Sequence, residues 1–332
     1  MNWKTLVAVI SILGASACSD PAPPPETTVS FDIDKTRITV SGVSSGAYMA
    51  GQYHVAHSSE VAGAGLIAGG PYWCASGSMK QGLGPCMQGG DMGVLALVDY
   101  ARAQADLGSI DALVNLNGDR VWAFHGANDA VIHPDVPAAA VEFYDQAASD
   151  VEITAVTDVA APHGMPTIVS DGTCDEVATP FLNNCDYDAA GDLLRSISDI
   201  DNPRAEQPAG ELITISQTGA ADAEMLDEAL LYVPQDCANG QSCGLHIAFH
   251  GCQQSTDFVQ EAFAANAGYN EWADNNQLLV LYPQVASSKM APINPLGCWD
   301  WWGYTGESYA TREGAQIAVV KALVDTLSGN SL

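Results

Sequence analysis

Ser44 has the clearest chemical signal in the chain, because it stands in the pentapeptide GVSSG, residues 42–46. A β-branched run precedes it, and an alanine-rich segment that predicts a helix follows it. A serine on such a glycine-flanked turn projects its hydroxyl beyond the end of a strand, where it can attack a carbonyl carbon. The same pentapeptide also arises by chance, so the prediction depends on the partners that a serine nucleophile needs.

A serine hydroxyl becomes a nucleophile when a histidine takes its proton and a carboxylate holds that histidine. Two candidates follow predicted strands: Asp129 comes after the apolar run VWAFHG, and His163 comes after VEITAV. Their order in the chain is that of the α/β-hydrolase triad, and both stand in strand-end loops. We predict Ser44, Asp129 and His163 as a catalytic triad, with Asp135 as the alternative acid.

Four other histidines are interpreted as structural. His125 and His250 precede glycines at the ends of predicted strands, which suits residues that shape a loop. His54 and His57 fall on the predicted helix after the serine. All four are weaker candidates for the catalytic base than His163.

Two backbone N–H groups must stabilise the negative charge that develops on the substrate carbonyl oxygen. One is the N–H of Ser45, directly after the nucleophile. The other normally follows an HG-type loop after an earlier strand. Here the matching loop is FHGCQQ, far downstream of the serine, and it makes the N–H of Cys252 the second predicted donor. An ordinary glycine turn is the alternative interpretation of this loop.

Strand-like and helix-like segments alternate along the chain, which predicts an α/β fold with a mostly parallel sheet and helices on both faces. Strands are predicted at 36–40, 61–70, 119–129, 151–156, 244–249 and 277–284, and helices at 47–56, 92–104, 137–148, 263–276 and 312–327. Segment 245–327 supplies the elements that normally precede the nucleophile strand. The chain is therefore predicted to be a circularly permuted α/β-hydrolase fold, since termini that lie close together tolerate such rewiring.

The first 28 residues predict export. Lys4, an apolar run at 5–13 and small residues before Cys18 are typical of a signal peptide, residues 1–18. Lipidation of Cys18 and simple cleavage near Ala17 both stay open. Residues 19–28 form a proline-rich linker, and 29–332 are predicted as a single catalytic domain. No later stretch predicts a membrane span, so the location is extracellular, periplasmic or on the cell surface.

The net charge and the number of cysteines indicate which partners and which covalent links to expect. The formal charge of −29 argues against nucleic acid as a partner, because phosphates would be repelled. Nine cysteines less Cys18 leave eight, which predicts disulfides in an exported chain. The sequence does not prove their connectivity; spacing favours Cys74 with Cys86, Cys174 with Cys185 and Cys237 with Cys243, leaving Cys252 with Cys298. No zinc-type spacing occurs, and neither a metal nor a cofactor is predicted.

Six blocks together resemble the extracellular poly(3-hydroxybutyrate) depolymerases of the single-domain, circularly permuted type: SGVSSGAYMA, AGGPYWCA, HGANDAVIHP, APHGMPT, FHGCQQS and NPLGCWDWWGYTG. The resemblance implies the same triad and the same two oxyanion donors. It also implies a Cys252–Cys298 disulfide that ties the oxyanion loop to the tryptophan segment, and an exposed crevice for one polymer chain.

Four aromatic residues follow Cys298 closely and are candidates for lining that crevice: Trp299, Trp301, Trp302 and Tyr304. Trp301 and Trp302 are the leading candidates, and packing in the core is the alternative for each. Tyr48 and Met49 are interpreted as helix packing only.

The predicted function is that of an exported, monomeric serine esterase that hydrolyses poly(3-hydroxybutyrate) or its oligomers through an acyl-enzyme on Ser44. A feruloyl, acetyl or short-chain carboxylesterase of the same fold is the first alternative. A surface binding protein without catalysis is the remote one.

Overall fold

The computed structural model describes residues 29–329. The predicted signal peptide, the proline-rich linker and the lipidation alternative at Cys18 lie outside this part of the chain. Within it, no helix is both long enough and apolar enough to cross a membrane.

Residues 29–329 contain ten strands and eleven α-helices. The strands are β1 Ile33–Val43, β2 Gly63–Ile67, β3 Arg120–Phe124, β4 Glu152–Val156, β5 Met165–Pro166, β6 Leu182–Asn183, β7 Glu211–Ser216, β8 Glu228–Val233, β9 Cys243–Phe249 and β10 Leu278–Tyr282. The helices are α1 Ser45–Ala56, α2 Met79–Leu83, α3 Pro85–Gln88, α4 Val94–Asp106, α5 Asp135–Ala147, α6 Ala189–Ile197, α7 Gln235–Ala238, α8 Thr256–Val259, α9 Ala262–Asn266, α10 Tyr269–Asn275 and α11 Ala315–Leu327. Two 3₁₀ turns occupy Leu113–Leu116 and Ala220–Ala223.

Eight of the strands form one sheet in the order β4-β3-β2-β1-β9-β10-β8-β7. All neighbours are parallel except β8, which runs antiparallel to both β10 and β7. The strand before Ser44 and the strand before the FHGCQQ loop are direct neighbours, with Val40 opposite Ile247. The predicted α/β fold with a mostly parallel sheet is confirmed.

The strand order is that of an α/β-hydrolase whose chain has been opened at a new point. If β7 is taken as the first strand, β9 and β10 exchange places in the sheet, and all other strands follow in chain order. The fifth strand is then β1, which leads to Ser44. The two ends of the described domain touch, since the N–H of Phe31 donates to the carbonyl of Leu327 at 2.7 Å.

Helices cover both faces of the sheet. On one face α1, α4, α5 and α11 pack over a core that includes Tyr53, Phe143 and Trp299. On the other face α6, α9 and α10 cover a second core around Trp122 and Tyr282. Every residue of α1, β2, β9 and β10 is buried, as expected of elements at the centre of a mostly parallel sheet that is covered on both faces.

Several elements differ from the sequence-based prediction. Strands β7 and β8 were not predicted. The apolar pattern of β7 is weak because it is an edge strand whose side chains are only partly covered. The predicted helix 263–276 is two helices, α9 and α10, since Gly268 between them has a φ of 96°. The last helix begins at Ala315 rather than Arg312, after a turn that ends at Gly314.

The structure contains four disulfides, which are the pairs that the spacing favoured. They join Cys74 to Cys86, Cys174 to Cys185, Cys237 to Cys243 and Cys252 to Cys298. Three of them close short loops, whereas the fourth links the loop after β9 to the tryptophan segment across a sequence separation of 46.

A chain with its ends relocated tests the permutation directly. A protein that starts at Gln207, joins Gly329 to Val29 by a short linker and ends at Glu206 should fold cooperatively. Both new ends are exposed and lie outside helices and strands, and the joined ends already lie side by side. Circular dichroism and thermal unfolding measure this. A matched permutant opened between Leu245 and His246 interrupts central strand β9 and should not fold; equal folding of both would contradict the assigned topology.

Candidate active site

Ser44 occupies a strained turn between β1 and α1. Its φ is 55°, in the left-handed region that side chains rarely adopt. The turn is held by the backbone, because the N–H of Ser44 donates to the carbonyl of Ile67 on β2 at 2.8 Å. Strain of this kind persists only where the surroundings hold it, and it clusters at functional sites.

The glycines on both sides of this turn are required by close backbone contacts. A Cβ atom at Gly42 would overlap the carbonyl oxygen of Gly46, and a Cβ atom at Gly46 would overlap those of Phe249 and His250. The start of α1 therefore packs directly on the end of β9. The GxSxG pattern has a steric cause here as well as a chemical one.

Asp129 and His163 form a hydrogen-bonded pair. His163 Nδ1 lies 2.8 Å from Asp129 Oδ2, and the two side chains are 13% and 1% exposed. The other carboxylate oxygen accepts from the N–H groups of Val131 and Ile132, at 2.8 and 2.9 Å. Burial raises the pKa of Asp129, but the hydrogen bond and charge of His163 and the two backbone donors together lower it below its usual value. The carboxylate therefore stays ionised, as a partner for histidine must.

Hydrogen bonds join the loop after β3 to the loop after β4 and so bring this pair together. The N–H groups of Ala127 and Asn128 donate to the carbonyls of Val159 and Ala161, at 2.8 and 3.1 Å. The Asn128 side chain adds a bond to the Ala160 carbonyl at 3.2 Å. The two strand ends are neighbours in the parallel sheet, which explains how residues distant in sequence meet.

Ser44 and His163 face one cavity of about 220 Å³, which Gly251 and Cys252 also line. Within the described chain no hydrogen bond joins the Ser44 hydroxyl to His163, and His163 Nε2 bonds to no protein atom. A free enzyme often has loose geometry at this contact, which tightens when substrate binds. The ring nitrogen that a general base would use is thus open to the cavity.

The predicted oxyanion donors also meet at this cavity. The N–H of Ser45 is at the first position of α1, where no partner within the helix exists and the helix dipole favours negative charge. The N–H of Cys252 follows β9. Neither group donates to an acceptor among residues 29–329. Two free donors on adjacent strand ends are the arrangement that an oxyanion needs.

The Cys252 loop is held on both sides. The Cys252–Cys298 disulfide ties it to the tryptophan segment, and the N–H of Gln253 donates to the carbonyl of Leu296 at 2.7 Å. The Ser45 hydroxyl lies 3.4 Å from Cys252 Sγ and accepts from the N–H of Trp299 at 3.4 Å. The two donors therefore belong to one packed unit.

A second cavity of about 280 Å³ lies on the other side of Ser44 and is lined mainly by apolar side chains. It shares Ser44, Met87, Cys252 and Leu296 with the first cavity, so the two form one crevice across the serine. Its walls include side chains that no sequence motif indicated: Met79, Leu83, Ile132 and Ile293.

The four aromatic candidates divide into two groups. Trp301 and Trp302 line the crevice, and the Trp301 ring stacks on Tyr48 with 4.6 Å between centroids. Trp299 does not line it, because its ring is fully buried against Phe249. Tyr304 is also absent from the lining.

The Tyr304 hydroxyl instead bonds within the tryptophan segment, where it donates to the carbonyl of Cys298 at 2.8 Å. Tyr48 was expected only to pack the helix, yet it lines the crevice, whereas Met49 is buried in the core. Trp299 and Tyr304 therefore take the packing alternative in this structure, whereas Tyr48 lies at the crevice wall.

The remaining candidates lie away from the serine. Asp135 is on the surface beside His133, which rules it out as the partner of His163. His125 holds the Asp129 loop through a 2.9 Å contact with the Ile132 carbonyl. His54 is buried against Asp119. No cluster of metal-ligating side chains occurs in the described part of the chain.

Comparison with known proteins gives named relatives. The chain is 38% identical over 306 residues to the poly(3-hydroxybutyrate) depolymerase of Delftia acidovorans, covering 90% of this chain and 61% of that protein. It is 33% identical over 332 residues to the polyhydroxybutyrate depolymerase of Talaromyces funiculosus, covering 95% and 94%. The chain thus spans about three fifths of the first relative and nearly all of the second. No protein-family model matches it.

Two solved structures have the same fold. One is a PHB depolymerase with a serine replaced by alanine, complexed with an R3HB trimer; its TM-score is 0.85 at 30% identity, over 92% of this chain and 99% of that one. The other is the PHB depolymerase from Penicillium funiculosum, with a TM-score of 0.84 at 31% identity and the same coverage.

Two glycines of α1 give a matched test of the nucleophile turn. Gly46→Ala should lower the free energy of unfolding by about 3 kcal/mol, because the new methyl group must displace backbone carbonyls. Gly51→Ala should be neutral or stabilising by up to about 1 kcal/mol, since its Cβ would meet nothing nearer than 3.8 Å. Urea unfolding followed by fluorescence compares them. Equal effects of the two changes would show that the close contact at Gly46 is not a constraint.

Proposed function

This chain belongs to the poly(3-hydroxybutyrate) depolymerase family, and from that premise we propose that it is an exported serine esterase acting on poly(3-hydroxybutyrate) or its oligomers. The observation that carries the proposal is the His163–Asp129 pair beside Ser44 at the centre of an apolar crevice. An R3HB trimer bound to a relative of the same fold supports the substrate class.

Acylation follows from the positions of these groups. The Ser44 oxygen attacks an ester carbonyl carbon while His163 Nε2 takes the hydroxyl proton and Asp129 stabilises the imidazolium. The carbonyl π electrons move to the oxygen, which is stabilised by the N–H groups of Ser45 and Cys252. When the tetrahedral intermediate collapses, the ester C–O bond breaks, and His163 returns the proton to the departing alkoxide.

Deacylation repeats these steps with water as the nucleophile. His163 takes a proton from water, and the hydroxide attacks the acyl carbon bound to Ser44. Collapse releases a 3-hydroxyacid product and returns the proton to the serine oxygen. The proposed reaction uses only side chains, backbone N–H groups and water.

The crevice suits an uncharged aliphatic ester. Met79, Leu83 and Ile293 are 52%, 57% and 61% exposed at its walls, and Trp302 adds an aromatic surface. Apolar contact of this kind would bind a polyester backbone without charged groups. We propose Trp301 and Trp302 as the aromatic contacts.

The proposal also covers the export, the domain organisation and the location of the protein. Residues 1–18 direct export, residues 19–28 are a linker, and residues 29–332 form a single catalytic domain that acts as a monomer. Four disulfides support an oxidising location outside the cytoplasm. Both outcomes at Cys18, lipidation and simple cleavage, are compatible with it.

Replacing the nucleophile tests the mechanism. Ser44→Ala should reduce kcat on p-nitrophenyl butyrate by at least about 10⁴-fold, because no other group can form the acyl-enzyme. Thermal unfolding should be little changed, since only a hydroxyl at a cavity wall is lost. The matched control is Ser149→Ala, which removes the hydroxyl of an exposed serine that does not line the crevice and should retain most activity. A folded Ser44→Ala protein with normal kcat would exclude Ser44 as nucleophile.

The substrate class is tested by comparing esters. The protein should clear a poly(3-hydroxybutyrate) suspension and release 3-hydroxybutyrate, whereas release of ferulate or acetate from polysaccharide esters should be slow, since the crevice offers few polar groups. Turbidity and product chromatography measure these rates. Rapid ferulate release without clearing would favour a feruloyl-type esterase, and failure of an active-site serine probe to label Ser44 would favour a binding protein.

A further inference from the structure

The Gly251–Cys252 peptide carries the second oxyanion donor, so its orientation decides whether that donor faces the crevice. A peptide unit is planar and trans, and its C=O and N–H therefore point in opposite directions. Fixing the carbonyl of Gly251 also fixes the direction of the N–H of Cys252. Rotation of this unit would turn a carbonyl oxygen toward the crevice, where it would repel the oxyanion.

His250 holds this carbonyl. Its Nδ1 atom lies 2.7 Å from the oxygen of Gly251. On the other side of the ring, Nε2 accepts from the N–H of Val285 at 3.2 Å. Because a backbone N–H can only donate, the proton of the neutral ring must be on Nδ1, and Nδ1 donates to Gly251.

The surroundings keep the ring in this state. The His250 side chain is fully buried and packs against the rings of Phe263 and Trp299, with centroids 6.4 and 5.4 Å away. Burial lowers the pKa of His250 to about 4, so the ring is neutral at higher pH. The donor on Nδ1 is thus present before substrate arrives.

The N–H of Gly251, which precedes that of Cys252, already has a hydrogen-bond partner. Gly251 donates its N–H to Oε1 of Gln254 at 2.7 Å, and the Gln254 side chain is buried. The amide group of Gln254 in turn donates to the carbonyl of Pro180 at 2.8 Å. Of the two successive N–H groups in this loop, only that of Cys252 remains for a substrate.

We propose that His250 is a positioning residue, which fixes the Gly251–Cys252 peptide so that the N–H of Cys252 points at the developing oxyanion. The inference rests on the proposed function, because it presupposes that this N–H stabilises a tetrahedral intermediate. His250 contacts neither substrate nor Ser44 and acts only through the peptide that it holds.

Two amide variants separate the two bonds of the ring. His250→Asn places an N–H near the position of Nδ1 and can still donate to Gly251. His250→Gln places its amide near Nε2 and can still accept from Val285, but it no longer reaches the Gly251 carbonyl. Both side chains are polar and smaller than or similar in size to histidine, so their packing costs should be comparable.

The kinetics of both variants on p-nitrophenyl butyrate decide the proposal, with folded sites counted by labelling Ser44 with a phosphonate. His250→Gln should lower kcat by about 10²-fold, the typical effect of losing one oxyanion donor, with KM changed by less than about threefold. His250→Asn should keep kcat within about tenfold of the native protein. A purely structural role would affect thermal stability in both variants without this difference in kcat.

Two results would overturn the inference: a folded His250→Gln protein with native kcat, or a folded His250→Asn protein whose kcat has fallen by about 10²-fold. If the His250→Gln protein does not fold, the kcat of the His250→Asn protein decides alone. Failure of the proposed function has a different signature, because the native protein itself would then neither hydrolyse the ester nor react with the phosphonate at Ser44.

Discussion

The active-site crevice depends on one close approach, in which the start of α1 packs on the carbonyl end of β9. Gly46 permits this approach, since any side chain there would overlap the carbonyls of Phe249 and His250. Parallel pairing of β1 with β9 brings the ends of both strands to the same edge of the sheet. The N–H groups of Ser45 and Cys252, 207 residues apart in sequence, can then face one crevice.

The other side of the crevice is built by hydrogen bonds between loops. Asp129 receives three donors and is almost fully buried, so its carboxylate has one orientation and remains charged. The backbone hydrogen bonds donated by Ala127 and Asn128 hold the loop of His163 against the loop of Asp129. The chain has a formal charge of −29, but the walls of the crevice are largely apolar. An uncharged aliphatic ester can therefore bind there through apolar contact.

Circular permutation leaves this arrangement intact because a sheet is defined by which strands pair and not by which loops connect them. The contact of Phe31 with Leu327 means that a short span would join the two ends of the described domain. In the present chain the nucleophile strand comes first and the oxyanion loop comes near the end. Their relative position is set by the parallel pairing of β1 with β9.

Features that depend on local chemistry could be predicted from the amino-acid sequence. The GxSxG turn, the strand-end positions of Asp129 and His163, and the cysteine spacings are short-range patterns, and the structure brings these residues together as pairs and neighbours. The fully buried strands were predictable for the same reason, because their apolar runs are continuous.

The side chains that form the crevice could not be predicted in this way, because they depend on how distant segments pack. Trp299 and Trp302 stand in the same short segment, yet one is core and the other lines the crevice. The difference arises from the path of the backbone, which Asp300 bends by accepting four successive N–H groups from residues 302–305. The role inferred for His250 likewise depends on the positions of Val285 and Gly251 around one ring. Contacts between distant segments set these directions, and no local pattern in the sequence records them.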